Sequence, residues 1–242
     1  MLVSNVSNNN NYSINFSSRN NPVQSFRVMT NKGALFIREV TDKDISKDVN
    51  AKEIAKFFTD NFVNNTKDPS LTQYKNPQNY NKYLELLERI KNYYKQMFID
   101  DDGNLTILEA RNSLGELCAS VVVNTFKDIS GLFDNKTCYV DSIAVRKDYR
   151  NNHIATILMD KAIGCSKDIY TDVFLTSDNM AVPFQLKNGF RIMDYNNEPE
   201  KFVIDKINHF RGDYPDYITY MDKRLDKDSE PWFMRIYNKI VK

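Results

Sequence analysis

The chain has 242 residues, of which 41% are hydrophobic and 12% aromatic, enough for a real core and against general disorder. Its 33 basic and 32 acidic side chains leave a formal charge of +1, which argues against broad attraction to nucleic acid or an anionic membrane. Three cysteines (Cys118, Cys138, Cys165) without paired spacing argue against a disulfide framework and fit a reducing compartment. With only His153 and His209, no cluster has zinc-ligand spacing, so no metal is expected. No apolar run approaches the ~20 residues of a membrane helix, and the N-terminus lacks the basic start and apolar core of a secretory signal. A cytoplasmic protein is expected.

Residues 1–30 are rich in Asn and Ser and read as a flexible tail, with Phe16, Phe26 and Val28 able to dock a short piece. Residues 31–225 form the main domain, and 226–242 a C-terminal amphipathic helix with Trp232, Phe233, Ile236 and Ile240. Within the domain, Ala34–Val40 reads as a strand and Ala51–Phe62 as a helix. Pro69 and Pro77 break the pattern before a long helix over Tyr80–Phe98. A turn at Asp100–Gly103 leads to a hairpin of Leu105–Ala110 and Leu117–Phe126, joined through Asn112–Gly115, and then a loop over Lys127–Lys136. Ile169–Thr176, Phe190–Met193 and Tyr217–Met221 read as later strands. Asn179–Asn188 reads as a short helix capped by Gly189, and Glu198–Arg211 as a helix with Phe202, Ile207 and Phe210 on one face.

The stretch from Cys138 to Cys165 carries the first functional signal. Cys138–Val145 is an apolar, β-branched strand, Arg146–Asn152 a polar turn, and Ile154, Ile157, Leu158 and Ala162 recur at helical spacing. Asn151 or Asn152 is placed to cap that helix. A strand feeding a helix through such a turn aims backbone N–H groups and the helix dipole at an anion such as phosphate. The seven glycines supply neither GxGxxG nor GxxxxGK, so the usual nucleotide loops are missing. Asp141 stands out as a carboxylate in an apolar strand, and period two puts it on one face with Tyr139, Ile143 and Val145. It is either a general base or a carboxylate paired with a nearby Lys or Arg. Glu109 is a second candidate base, Tyr139 reads as core, and Cys138 as a small buried residue.

Two groups of residues together resemble the GNAT superfamily of N-acetyltransferases. Ala144 and Val145 end a strand, followed by Arg150, Asn151, Asn152, His153, Ile154 and Ala155 where the family has Arg/Gln-x-x-Gly-x-Gly/Ala. Asp178, Ala181, Phe184, Gln185, Gly189 and Phe190 follow a second family spacing, and Tyr220 and Met221 look like the family's last strand. The resemblance spans about residues 34–225, tightly over 138–193. It implies an α+β fold with a central mixed, mostly antiparallel sheet, splayed parallel central strands and flanking helices. It implies acetyl-CoA as cosubstrate, held by Ile143, Ala144, Val145, Arg150, Asn151, Asn152, His153, Ile154, Ala155, Thr156, Asp178 and Asn179. The pantetheine amides would pair with Ile143–Val145 as an added strand does.

The acceptor would be an amine on a small molecule or peptide. Tyr74, Tyr80 and Tyr83 either line its pocket or pack. The sequence leaves the oligomeric state open, with a dimer among the options. Two positions depart from the family. His153 replaces the first signature glycine, where it would obstruct the pyrophosphate, contact it, or point outward. Gln185 stands where many relatives carry a tyrosine acid. The alternative to an N-acyltransferase is a catalytically weak or inactive CoA-binding or interaction module, using the tail or the Trp232 helix for a partner.

Overall fold

Among the described residues, alternating apolar positions build eight strands into one sheet, and helices with apolar stripes cover both of its faces. The computed structural model describes residues 23–65, 69–100, 105–125, 136–164, 170–211 and 218–241. In chain order the elements are β1 (Phe26–Thr30), β2 (Gly33–Glu39), α1 (Asp42–Ile45), α2 (Asp48–Asn65), α3 (Pro69–Thr72), α4 (Tyr80–Asp100), β3 (Thr106–Arg111) and β4 (Leu117–Thr125). They continue with β5 (Thr137–Val145), α5 (Ile154–Gly164), β6 (Asp172–Asp178), α6 (Val182–Lys187), β7 (Arg191–Ile192), α7 (Glu198–Arg211), β8 (Ile218–Arg224) and α8 (Trp232–Val241). The strand order is β1-β2-β3-β4-β5-β6-β8-β7, and every neighbouring pair is antiparallel except β5 with β6. This is the α+β arrangement expected.

Each helix buries the stripe its sequence dictates. On α2, Ala51, Ile54, Ala55, Phe58 and Val63 are buried, and they meet Leu87 and Tyr94 of α4 in a core over one sheet face. On α5, Ile154, Leu158, Met159, Ala162 and Ile163 are buried against Leu108, Ala119, Val121 and Val123 on the opposite face. A third cluster joins Tyr139 and Phe174 to α7 and α8 through Val203, Ile204, Ile207, Trp232, Phe233 and Ile236.

Three expectations change. The strand Phe26–Thr30 pairs along its whole length with β2, so these five residues, assigned to the tail, belong to the sheet. On α7 the buried face is Val203, Ile204 and Ile207, while Phe202 is half-buried and edges against Tyr237. The Trp232 helix is built into the fold, with Trp232 fully buried and its indole N–H donated to Asp222 at 3.0 Å. Most of the Asn/Ser tail, the turn at 101–103, most of the loop at 127–136, Cys165, Ile169 and Tyr217 lie outside the described residues.

Candidate active site

The strands β5 and β6 begin side by side and then part. They share register only at Thr137 with Asp172, Cys138 with Val173 and Tyr139 with Phe174. Past that point β5 stays on β4 to Val145, while β6 stays on β8 to Asp178. The result is a fork in the middle of the sheet. Stacked rings of Tyr139 and Phe174, centroids 5.7 Å apart, mark its crotch, and the Tyr139 hydroxyl lies 3.2 Å from Thr176 Oγ1 on the other arm.

The inner edge of the β5 arm offers backbone groups. Arg146 N–H bonds to Cys118 O on β4, so the antiparallel alternation turns the peptide groups of Val145 and Ile143 away from β4, into the fork. Arg150 already uses one of them: its Nε donates to Val145 O at 3.0 Å, and its Nη1 to Asn65 Oδ1 at 3.2 Å at the end of α2. The next residues turn sharply. Asn151 has φ 64° and His153 φ 57°, both left-handed. His153 then accepts the first helical bond of α5, from Ile157 N–H at 3.0 Å.

Ile154 is buried in the core, while Ala155 and Thr156 are half-buried. The side chain of Asn152 serves the loop: its Nδ2 donates to the carbonyls of Tyr149 and Arg150, and its Oδ1 accepts Asn31 N–H from the β1–β2 turn. On the other arm, Asp178 Oδ1 accepts Met180 N–H at 2.8 Å, closing the turn into α6, and Asn179 Oδ1 accepts the Thr219 hydroxyl at 2.6 Å.

Asp141 sits on the β5 arm at a break in the pleat. Val122 lies opposite Ser142 but Val123 opposite Val140, so Asp141 is the extra residue of a β-bulge. The bulge flips the parity of everything after it. Tyr139 packs with Phe174, whereas Ile143 and Val145 pack against the α5 side with Cys138 and Val140. The shared face inferred from period two is therefore wrong for Ile143 and Val145. Asp141 turns to α4: Tyr93 donates to its Oδ1 at 3.1 Å and Ser142 to its Oδ2 at 2.8 Å. Burial, then the Asp141 charge, pushes the Tyr93 phenol well above its usual range, so it stays a donor.

Glu109 is not near this group in the sheet. It lies on β3, is 1% exposed, and places one oxygen 2.6 Å from Arg38 Nε and the other 2.8 Å from Arg111 Nη2. Arg38 continues to Asp44 and Arg111 to Glu53, tying β2 and β3 to α1 and α2. Gln185, on α6, is 4% exposed, and its Oε1 has no hydrogen-bond partner among the described residues. Among the described residues no group of His, Cys, Asp and Glu could hold a metal ion, and no helix is long and apolar enough to cross a membrane.

Comparison with known proteins decides the family. The acetyltransferase (GNAT) family model matches residues 69–190, just over half of the 242-residue chain. The chain belongs to the GNAT family. Among solved structures, a GNAT acetyltransferase from Staphylococcus aureus Mu50 is 18% identical, covering 79% of this chain and 99% of that one, with a TM-score of 0.50. The GNAT N-acetyltransferase YhbS from Escherichia coli, in complex with CoA, is 17% identical over 80% of this chain and 83% of that one, with a TM-score of 0.47. At 18% identity the likeness to the Staphylococcus aureus protein is one of fold. No curated protein matches the sequence.

His153 holds a left-handed backbone, a conformation that glycine adopts freely and other residues seldom do. The His153 side chain is exposed. Tyr93 and Ser142 escaped sequence reasoning. Tyr93 is one helical step from the core residue Tyr94, and only the off-stripe position of a tyrosine hinted that its hydroxyl has separate work.

Proposed function

We propose that this GNAT protein transfers an acetyl group from acetyl-CoA to a primary amine of a small molecule or peptide by direct attack. The observation that carries the reading is the fork beyond Tyr139 and Phe174, with the left-handed turn and the start of α5 at the end of its β5 arm. These residues fit an extended thioester ending in a diphosphate. The peptide groups of Ile143 and Val145 suit its amides, and the first N–H groups of α5, at Ile154, Ala155 and Thr156, suit its pyrophosphate. Arg150 would have to leave Val145 O for that carbonyl to pair.

Acetyl-CoA supplies an activated acyl carbon and a thiolate leaving group. The acceptor arrives as an ammonium and needs to lose a proton before its lone pair can attack. Asp141 takes that proton, directly or through water. As the C–N bond forms and the C–S bond breaks, the nitrogen gives its surplus proton to water and the thiolate takes one from water, so this second proton passes through solvent. Gln185 cannot supply it, although its amide can donate a hydrogen bond. Glu109, held by two guanidinium groups, takes no part in this scheme.

Titration calorimetry with acetyl-CoA tests the binding step, and free-thiol release with amino acids, polyamines, aminoglycosides and peptides tests transfer. Saturable heat and amine-dependent thiol release are expected. No heat and no thermal stabilisation at millimolar acetyl-CoA would remove the reading.

A further inference from the structure

We propose that Tyr93 and Ser142 are positioning residues that hold the Asp141 carboxylate in one orientation, with Tyr94 fixing Ser142 from behind. The inference rests on reading Asp141 as the base. Its geometry is a directed chain. Tyr94 donates to Ser142 Oγ at 3.1 Å, so the single Ser142 proton is free to go forward to Asp141 Oδ2, which it reaches at 2.8 Å. Tyr93 donates to the other oxygen at 3.1 Å. Each carboxylate oxygen thus has its own hydroxyl donor, one from α4 and one from the neighbouring strand residue.

The donors are anchored. Tyr94 is 2% and Ser142 3% exposed, and Tyr94 packs on Phe58 of α2 with ring centroids 5.8 Å apart. The bulge at Asp141 is what makes the chain continuous. Ser142 follows it onto the α4 side of the sheet, beside Tyr94 and Ala144. The chemistry of the donors also matters. Glu109 lies between two guanidinium groups, which occupy both of its oxygens. Tyr93 and Ser142 are neutral, so they orient Asp141 without bringing a positive charge of their own. The titratable groups facing Asp141 include Tyr93 and Tyr94 from α4, with Tyr139 of β5 next to Tyr93. Burial, then the Asp141 charge, drives both α4 phenols upward, so both remain donors.

Carbon-13 NMR of labelled aspartate carboxyls tests this without any acceptor, the Asp141 signal being assigned by its loss in Asp141→Asn. Tyr93→Phe keeps the ring and Ser142→Ala the packing. Each removes one donor to the charged form, so each is expected to raise the Asp141 midpoint by about one pH unit. In thiol release with the same amines, each is expected to lower kcat/KM about tenfold with the acetyl-CoA KM within twofold. Neither is expected to add a loss on an Asp141→Asn background. An unchanged midpoint in both variants would overturn the positioning role. Full turnover in Asp141→Asn would instead overturn the base reading, so the two failures are distinct.

Discussion

Tyr139 and Phe174 are the last residues that β5 and β6 share in register, and their rings stack where the two strands separate. Removing the Tyr139 hydroxyl loses the link to Thr176, so Tyr139→Phe is expected to cost about 1 kcal/mol. Tyr139→Ala also empties a buried site and is expected to cost about 3–5 kcal/mol, with weaker acetyl-CoA binding as the fork loosens. Urea denaturation and calorimetry on the same samples check both.

At His153 the backbone decides the outcome. A left-handed residue costs about 1–3 kcal/mol unless it is glycine, but glycine also adds freedom to the unfolded chain. His153→Gly is therefore expected to leave stability within about 1 kcal/mol. His153→Val, a β-branched residue in that conformation, is expected to destabilise by about 2 kcal/mol and weaken acetyl-CoA binding. Thermal melts with and without acetyl-CoA distinguish the two.

Glu109 offers a control for catalysis. Removing its carboxylate leaves Arg38 and Arg111 facing each other, although Arg38 is 41% exposed and water softens the loss. Glu109→Gln is expected to cost about 2–3 kcal/mol and to leave the pH profile of turnover unchanged. A lost pH limb would make Glu109 a participant after all.

Two aspartates should bend the pH dependence of stability in opposite directions. Burial acts on Asp44, but the Thr41 N–H and hydroxyl and the Arg38 charge outweigh it and hold its pKa below 3.8. The native state then binds fewer protons, and the stability from Asp44 is lost as pH falls below 3.8 through its folded pKa. Burial raises the Asp222 pKa against Arg191 and the Trp232 N–H, so its native state binds more protons above 3.8, and stability from this group declines there as pH rises. In urea midpoints measured across pH, Asp44→Asn should flatten the acid limb. Asp222→Asn should remove the decline above 3.8.

Trp232 tests how firmly α8 is built in. It meets Phe174 at 5.0 Å between ring centroids, while Arg235 of the same helix pairs with buried Asp172 at 3.0 Å. Trp232→Ala is expected to cost about 3–5 kcal/mol by chemical denaturation.

The signature strand, its helix and the long α4 were legible because their apolar spacing is local. β1 was not, since five residues holding Phe26 and Val28 follow an Asn- and Ser-rich stretch, and only pairing with β2 gives them a sheet. The side of Asp141 was also hidden, because a bulge is a property of two strands and the sequence displays one. The same holds for its partners. Tyr93 lies 48 residues from Asp141, and Arg38 lies 71 from Glu109, so each became visible only once the helices and strands were assembled.

The extra residue at Asp141 is surplus to the pairing of β5 with β4. A substitution there alters one carboxylate and keeps the bulge. Deleting it would let Ser142 follow Val140 in regular alternation, with Ile143 and Val145 still on the α5 side and Ala144 still on the α4 side. The sheet can close without this residue, and what the added length supplies is the out-of-step position from which a carboxylate meets Tyr93 and Ser142.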